Sequence, residues 1–206
     1  MLDKTSANPV RPLVLASTSR YRAELLARVG LPFSTDAPNV DESPRPGESP
    51  AQTALRLAEA KAREVAGRHA NALVMGADQV ADADGRIVGK AGVHERAVEQ
   101  LSRLSGRTIV FHTGIALVDA ASGRCQAQRV DVASTFRPLT RDAIERYLQR
   151  ERPYDCAGSV KVEALGIALF EKIVSDDPTA LIGLPMIALV SMLAREGVDV
   201  LAEPPL

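Results

Sequence analysis

The sequence predicts an α/β fold in which a mixed central sheet is flanked by helices. Short apolar runs alternate with amphipathic helical stretches through most of the chain, which is typical of strands and helices packed against each other. Two long β-type segments, 107–118 and 125–136, are joined by Ala121-Ser122-Gly123 and predict a hairpin. The alternation and the hairpin together favour a sheet with both parallel and antiparallel pairs.

Turn and cap residues indicate where the first elements begin and end. Gly30 ends the first helix, and Ser49 followed by Pro50 is a favourable cap and first position for the second. The expected order is a strand over 12–16, a helix over 20–29, a strand over 33–37, a loop over 41–50, a helix from 50 to about 68 and a strand over 71–77.

The same alternation continues in the second half. A hairpin turn is expected at Asp84-Gly85, and Asp176-Asp177-Pro178 is interpreted as a turn that starts a helix and not as a functional site. The remaining expected elements are a helix over 95–104, the two long β segments, a helix over 140–149, a strand over 167–174 and a helix from about 179 to 197.

Length and charge limit the possible classes of protein. The chain has 206 residues, with 25 Lys and Arg against 26 Asp and Glu. A chain of this size buries roughly 70% of its unfolded surface without needing disulfides or a structural metal. We expect one domain over 1–206 with a flexible tail at 1–10. The balanced charge argues against general nucleic-acid binding but is compatible with a small phosphate pocket.

Apolar segments and cysteines indicate the compartment. The longest uncharged stretch, from Pro178 to Ala194, contains Pro185 and is shorter than the roughly 20 apolar residues of a membrane helix. The N-terminal apolar run 13–16 is too brief for a signal peptide, and Cys125 and Cys156 lack metal-type spacing. These features predict a cytoplasmic protein with reduced thiols and no membrane partner.

The first candidate site is the polar turn between the first strand and the first helix. Ser17-Thr18-Ser19 places hydroxyls and backbone N–H groups at a helix N-terminus, with Arg20 and Arg22 in the first turn. This arrangement favours an anion such as phosphate. A capped helix with a solvated basic turn is the alternative, although arginines at this end oppose the helix dipole.

Acidic residues form the second set of candidates. Asp78 follows an apolar strand, at the carboxyl end where open α/β sheets bind ligands, so it could hold a metal or activate water, or it could cap a turn. The pair Asp41-Glu42 could serve Mg²⁺, which takes one or two carboxylates together with phosphate oxygens. Solvated acids in a Pro-rich loop are the alternative for this pair.

Two lysines complete the candidates. Lys61 on a helix and Lys90 after Gly89 could each neutralise a phosphate, but solvation is the usual state of a single lysine, so both possibilities stay open. The stretch 85–91 differs from a P-loop, because it has one residue too few between its glycines and Ala91 in place of the metal-binding Ser or Thr.

A series of short motifs runs in order along nearly the whole chain. They are Leu15-Ala16-Ser17-Thr18-Ser19, Arg22, Glu24-Leu25-Leu26, Gly30-Leu31-Pro32-Phe33, Asp41-Glu42, Leu57-Ala58, Lys61-Ala62, Gly76-Ala77-Asp78, Gly89-Lys90, Leu104-Ser105-Gly106, Thr113-Gly114, Ala157-Gly158 and Gly183-Leu184-Pro185. This series resembles the Maf proteins, also called septum-formation proteins, and its collinear order is more specific than any single motif.

The resemblance implies two lobes around an active-site cleft and a metal-dependent nucleotide pyrophosphatase. Such an enzyme hydrolyses a nucleoside triphosphate to the monophosphate and diphosphate. By this resemblance Asp78 is the proton acceptor and the reaction uses a divalent cation, Mg²⁺ or Mn²⁺. Glu42 and Asp78 are the expected metal ligands, and which carboxylate binds the metal and which acts as the base stays open. The residues implied for phosphate binding are Ser17, Arg22, Lys61 and Lys90.

Three positions resemble those that discriminate the base in this family. Tyr21, Gln79 and Glu163 are similar to the branch that acts on 7-methyl-GTP, whereas the dTTP and UTP branch typically has Arg, Thr and Gln there. A base made cationic by methylation suits an aromatic face, by about 0.5–2 kcal/mol, and a carboxylate that accepts from its N–H groups. A core Tyr21 and a solvated strand residue Glu163 are the alternatives. Arg20 stands where the family usually has Pro.

The expected partner is therefore a small nucleotide and not a nucleic acid, and the hairpin over 107–136 is a candidate surface for a homodimer. The same reaction on dTTP, UTP or CTP is one alternative function. A non-catalytic nucleotide-binding protein acting in cell division is the alternative from another class. The presence of Asp78, Glu42, Lys61 and Lys90 together argues against it.

Overall fold

The computed structural model describes residues 11–202, so the tail expected at 1–10 lies outside the described residues. The strands are β1 (Leu13–Ala16), β2 (Phe33–Asp36), β3 (Leu73–Ala83), β4 (Arg86–Val88), β5 (Thr108–Asp119), β6 (Cys125–Phe136) and β7 (Phe170–Val174). The helices are α1 (Arg20–Ala27), α2 (Pro50–Ala66), α3 (His94–Leu104), α4 (Arg141–Glu151) and α5 (Met186–Arg195). Within the described range, no helix has the length and apolar character needed to cross a membrane.

One mixed sheet organises the chain, as the sequence predicts. Its order is β2-β1-β3-β5-β6-β7, and β4 pairs with the far end of β3. Strand β1 is parallel to both β2 and β3, whereas β3, β5, β6 and β7 are successively antiparallel. The expected hairpin over 107–136 is confirmed as β5 and β6, which both lie inside the sheet.

Helix α2 covers one face of the sheet. Ser49 accepts a hydrogen bond from the backbone N–H of Gln52, whose side chain accepts from the backbone N–H of Ser49, and Pro50 occupies the first turn. The apolar side of the helix, including Ala62 and Val65, packs on side chains of β1, β3 and β5. These caps and contacts explain why the predicted helix over 50–68 forms with nearly the expected bounds.

The other face of the sheet carries the larger core. Helices α1, α3, α4 and α5 contribute buried side chains to a single hydrophobic cluster, represented by Leu26, Leu101, Leu148 and Leu189. The sheet therefore has α2 on one side and the four other helices on the opposite side. This two-sided cover confirms the α/β class predicted from the alternation.

Two expected elements near the C-terminus were wrong in extent. The strand expected over 167–174 begins only at Phe170, because residues Leu165–Leu169 form a 3₁₀ turn in which Gly166 lies against the backbone of Lys161. The helix expected from 179 to 197 is a 3₁₀ turn, Ala180–Ile182, followed by α5. Gly183, at a φ of 108°, and Pro185 separate the two.

Candidate active site

A stretch of β3 that is unpaired along one edge forms the floor of a cleft. On this edge, β1 pairs with β3 only as far as Gly76, and β4 pairs with it only from Ala81. Among residues 11–202, no strand therefore lies beside 77–80 on that side. The cleft above them has a volume of about 660 Å³, which is within the range of small-molecule sites. Its walls come from the turn before α1, α2, the segment 87–90, the segment 155–163 and the segment 181–183.

Asp78 does not lie at the end of its strand, as the sequence predicted, but in the middle of β3. Asp78 is accessible because the neighbouring strand β1 ends first. The last pair between the two strands is Ala16 with Gly76, and β3 continues for seven residues beyond it. The rule that ligands bind at the carboxyl ends of parallel strands thus applies here to β1. Side chains alternate along β3, so Asp78 faces α2 while Gln79 faces the opposite layer.

Asp78, Lys61 and Glu42 form a charged cluster on the α2 side. The Nζ atom of Lys61 donates to Oδ1 of Asp78 at 2.6 Å and lies 2.7 Å from Oε1 of Glu42. Lys61 is 5% exposed and Asp78 is 8% exposed, whereas the Glu42 side chain is 61% exposed. Lys61 is therefore not the solvated lysine that composition alone would favour. A buried ammonium requires such partners, since burying an unpaired charge is very unfavourable.

The pKa values of the two carboxylates, Asp78 and Glu42, shift in opposite directions. Burial raises the pKa of Asp78, and the nearby charges of Lys61 and Arg22 only partly oppose it. Partial burial also acts to raise the pKa of Glu42, but its hydrogen bond to Lys61 and the charges of Lys61, Lys90 and Arg22 outweigh it and lower that pKa. Asp78 is consequently the better proton acceptor of the pair.

Two glycines bring α2 close enough to place Lys61 in the cleft. A Cβ added at Gly76 would lie 2.7 Å from the backbone nitrogen of Ala62 and would also meet the carbonyl oxygen of Ala58. One added at Gly114, directly opposite Asp78 in the register, would meet the carbonyl of Ala54. The helix backbone therefore rests directly on the sheet, which only glycine permits at these positions.

The turn before α1 presents Ser17 and Arg22 to the cleft. Ser17 Oγ accepts from the backbone N–H of Ser19 at 3.1 Å and from Nη1 of Arg22 at 3.5 Å. Nε of Arg22 donates to the carbonyl of Gly183 at 2.9 Å, and burial lowers the pKa of Arg22. No ion pair occupies this guanidinium within residues 11–202. A partly buried arginine held by hydroxyl and carbonyl oxygens keeps N–H groups for an anion.

Lys90 approaches the same cluster from the opposite wall. It follows β4, and its backbone forms an isolated antiparallel bridge with Ala157. Its charge contributes to the lowered pKa of Glu42, and among the described residues it has no ion-pair partner. The structure thus brings all the predicted phosphate-binding residues into one cleft.

The three predicted base-discriminating residues also line the cleft. Gln79 donates from Nε2 to the carbonyls of Ala180 at 2.9 Å and Leu181 at 3.0 Å, and its Nε2 lies 3.1 Å from Oγ1 of Thr113. Tyr21 is only partly buried and is not a core residue. Glu163 is exposed, in a turn and not in the strand considered as its alternative.

Sequence reasoning missed the surroundings of Tyr21. The Arg20 guanidinium lies 4.8 Å from the centre of the Tyr21 ring, and Nζ of Lys161 lies 5.6 Å from it. Arg20 also donates to the Tyr21 hydroxyl at 2.9 Å. The proximity of Arg20 in sequence was visible, but Lys161 approaches from a segment 140 residues away that no local pattern connects to Tyr21.

The donor set of the cleft fits a hard divalent cation bound together with phosphate. Glu42 and Asp78 converge on one cationic atom, Nζ of Lys61, so both can face a shared positive charge. Across residues 11–202, no group of three or more His, Cys, Asp and Glu side chains is arranged to hold a metal alone. Two carboxylates completed by phosphate oxygens are a donor set typical of Mg²⁺.

The chain is similar to known proteins over most of its length. A family described as Maf-like protein matches residues 12–196. A protein of Thiobacillus denitrificans named 7-methyl-GTP pyrophosphatase is 57% identical over 192 residues, covering 93% of this chain and 96% of the relative. Relatives of the same name from Ralstonia nicotianae and Bordetella pertussis are 56% and 54% identical, over 88% and 94% of this chain and 94% and 96% of their own lengths. Since the family match extends over most of the chain, this protein belongs to the Maf-like protein family.

Proposed function

We propose that this protein is a nucleotide pyrophosphatase that hydrolyses 7-methyl-GTP to the monophosphate and diphosphate. The observation that carries the proposal is the buried carboxylate of Asp78, with its raised pKa, in a cleft that also holds Arg22, Lys61 and Lys90. Relatives named 7-methyl-GTP pyrophosphatase at 54–57% identity support the choice of substrate.

Each residue has a role that its position permits. Asp78 accepts a proton from a water molecule, whose oxygen attacks the α-phosphorus. The bond between that phosphorus and its bridging oxygen then breaks, and diphosphate leaves with the bond's electrons. Arg22, Lys61 and Lys90 neutralise the negative charge on the phosphate oxygens, which should supply much of the rate enhancement.

A divalent cation, Mg²⁺ or Mn²⁺, would be held by Glu42 and Asp78. When bound, it supplies further charge neutralisation at the phosphates. We expect that a chelator abolishes turnover, while the thermal unfolding temperature stays nearly unchanged because Lys61 already balances the carboxylates. A chelator-treated protein that keeps full turnover would contradict this assignment.

The base would lie between Tyr21 and Glu163. Methylation at N7 makes the base cationic, and a tyrosine face attracts a cation. The Glu163 carboxylate accepts from the N–H groups of the guanine edge and offsets its charge. The double variant Tyr21→Arg/Glu163→Gln should shift the preference toward dTTP and UTP, and an unchanged ratio of substrates would reject these two roles.

The decisive experiment measures diphosphate release with Mg²⁺ or Mn²⁺. Five nucleotides are compared at equal concentration: 7-methyl-GTP, GTP, dTTP, UTP and CTP. Asp78→Asn is the inactive control, and Asp176→Asn, which changes an exposed carboxylate outside the cleft, should match the wild type. Preference for 7-methyl-GTP supports the full proposal, whereas preference for another base keeps the reaction and rejects the substrate.

A non-catalytic nucleotide-binding protein is the competing function. It would bind 7-methyl-GTP saturably without metal-dependent diphosphate release. An Asp78→Asn variant that folds normally and retains wild-type turnover would separately reject the role of Asp78.

A cytoplasmic location and a homodimer stay predictions from the sequence. Strand β7 pairs only with residues 133–136 of β6, so among the described residues the outer edge of β6 over 125–132 has no strand beside it and could receive a partner. Sedimentation equilibrium tests whether two copies associate, and fluorescence tagging in cells tests the location.

A further inference from the structure

Asp177 lies outside the cleft but is almost completely buried, with 2% of its surface exposed. Its carboxylate accepts from the backbone N–H groups of Ile187 at 2.7 Å and Ala188 at 3.4 Å. It also accepts from the backbone N–H of Thr179 at 3.1 Å and from the Thr179 hydroxyl at 2.6 Å. We call the segment 177–188 the 177–188 turn. Asp177 therefore links the two ends of this turn.

The Asp177 carboxylate caps helix α5, whose own N-cap residue offers no side-chain acceptor. Helix α5 begins after Pro185, which has no side-chain acceptor for the free N–H groups of the first turn. Asp177 accepts from two of these groups, and Thr179 Oγ1 accepts from the third, that of Met186, at 2.8 Å. The sequence interpretation placed a helix start at Asp176-Asp177-Pro178, but helix α5 begins nine residues after Asp177.

The carbonyls of the same turn hold side chains of the cleft. The Gly183 carbonyl accepts from Nε of Arg22 at 2.9 Å. The Ala180 carbonyl accepts from Gln79 at 2.9 Å and from the Thr113 hydroxyl at 2.9 Å. The conformation of the turn therefore sets the direction of Arg22, a predicted phosphate-binding residue, and of Gln79, a predicted base-discriminating residue.

Gly183 shows how closely the turn and Arg22 fit together. Its φ of 108° is accessible to glycine and strained for other residues, and a Cβ there would lie 3.3 Å from Nε of Arg22. Small movements of the turn would consequently move the guanidinium.

We propose that Asp177 is a positioning residue for the nucleotide site, which orients Arg22 toward the phosphates and Gln79 toward the base by fixing the 177–188 turn. The inference rests on the proposed function, because it takes Arg22 as a phosphate-binding group. Asp177 contacts no reacting atom and acts only through the carbonyls of the turn.

The test is a double-mutant cycle between Asp177 and Arg22. Asp177→Asn keeps the shape of the side chain but places an N–H group against backbone donors. We expect it to lower kcat/KM for 7-methyl-GTP by roughly 10- to 100-fold in the wild-type background, as misplacement of a binding group does. In the Arg22→Met background the further loss should be less than about threefold, since only Gln79 is then left to be positioned. The neighbouring Asp176→Asn is the matched control and should leave kcat/KM unchanged.

A second pair of variants keeps the test valid if Asp177→Asn does not fold. Thr179→Val removes the hydroxyl that caps Met186 but keeps the branched shape, and Thr179→Ser retains the hydroxyl. Thr179→Val should lower kcat/KM several-fold when Arg22 is present and clearly less when it is absent, and Thr179→Ser should recover most of the loss. A purely structural role would predict the same loss with and without Arg22.

The outcomes separate this inference from the proposed function. The positioning role is overturned if the losses in kcat/KM are fully additive, or if Asp177→Asn has the same kcat/KM as Asp176→Asn. In either case, diphosphate release by the wild type still supports the proposed function. If the wild type binds 7-methyl-GTP without hydrolysis, the function fails and the same cycle on Kd decides the inference. A wild type that neither binds nor hydrolyses any of the five nucleotides overturns both.

Discussion

The ammonium of Lys61 lies 2.6 Å from Oδ1 of Asp78, and both residues are more than nine-tenths buried. We predict that Lys61→Met lowers the free energy of unfolding by about 3 kcal/mol, because it leaves the carboxylate buried without its partner. The double variant Lys61→Met/Asp78→Asn should recover most of this loss. Urea denaturation at pH 7 measures both, with the exposed Lys172→Met as the control. A loss no larger than that of the control would mean that the pair does not contribute to stability.

The raised pKa of Asp78 predicts an unusual dependence of stability on pH. The folded protein holds the Asp78 proton more tightly than the unfolded chain does, because burial disfavours the carboxylate. The stability that Asp78 contributes is therefore full below its ordinary pKa and is lost as pH rises through the raised pKa. Asp78→Asn removes this loss, so its free energy of unfolding relative to the wild type should increase from pH 4 toward pH 7. A constant difference in urea denaturation across this range would contradict the raised pKa.

Asp119 should behave in the opposite way. Its hydrogen bond from Ser122, together with the backbone N–H of Ala121 and the charge of Arg11, lowers the pKa of Asp119 to about 2. This contribution is present above the ordinary pKa and is lost as pH falls toward 2. Asp119→Asn should be less stable than the wild type at pH 7 and should lose less stability between pH 4 and pH 2. Asp176→Asn serves as control, and identical acid profiles of the wild type and Asp119→Asn would reject the prediction.

Gly76→Ala should damage stability and activity together. Its new Cβ would lie 2.7 Å from the backbone of Ala62 and would push α2, with Lys61, away from β3. Overpacking of this kind costs about 1–3 kcal/mol, and the displacement of Lys61 should also reduce kcat. Gly67→Ala is the matched control, because its Cβ would make only ordinary contacts of 3.4 Å and 3.9 Å and its φ is −60°. Equal thermal unfolding temperatures for the two variants would show that α2 can move away without loss.

Arg20 should reduce the preference for a cationic base. Its guanidinium lies 4.8 Å from the Tyr21 ring, where the methylated base would compete with it for the same electrons and be repelled by its charge. Arg20→Gln should therefore increase the ratio of kcat/KM for 7-methyl-GTP to that for GTP by about two- to fivefold, as expected for loss of an exposed cation–π contact. Arg28→Gln, at the opposite end of α1, is the control. A ratio that rises equally in both variants would indicate a general charge effect.

Local signals predicted the architecture well. The Ser49 and Pro50 cap, the apolar period of α2 and the short connection between β5 and β6 are all decided by nearby residues. The sequence therefore predicted the class of fold, the hairpin and most helix bounds. The resemblance to the Maf proteins, carried by motifs spread over the chain, is confirmed by the family match.

Contacts between distant segments could not be predicted from local patterns. The position of Asp78 in mid-strand depends on where β1 ends, and the burial of Lys61 depends on Gly76 and Gly114 in two other elements. The break before α5 depends on Asp177, which acts across ten residues. The catalytic, phosphate-binding and base-discriminating roles stay predictions.

Asp78 and Gln79 are consecutive residues, yet they face opposite sides of β3 and contact different layers of the protein. Gln79 donates to Thr113 and to the Ala180 carbonyl of the 177–188 turn, whereas Asp78 accepts from Lys61 of α2. Under the proposed roles, substitutions can therefore accumulate around the base while the hydrolytic layer is inherited unchanged. A duplicated gene in such a family can acquire a new substrate through changes on one side of a single strand.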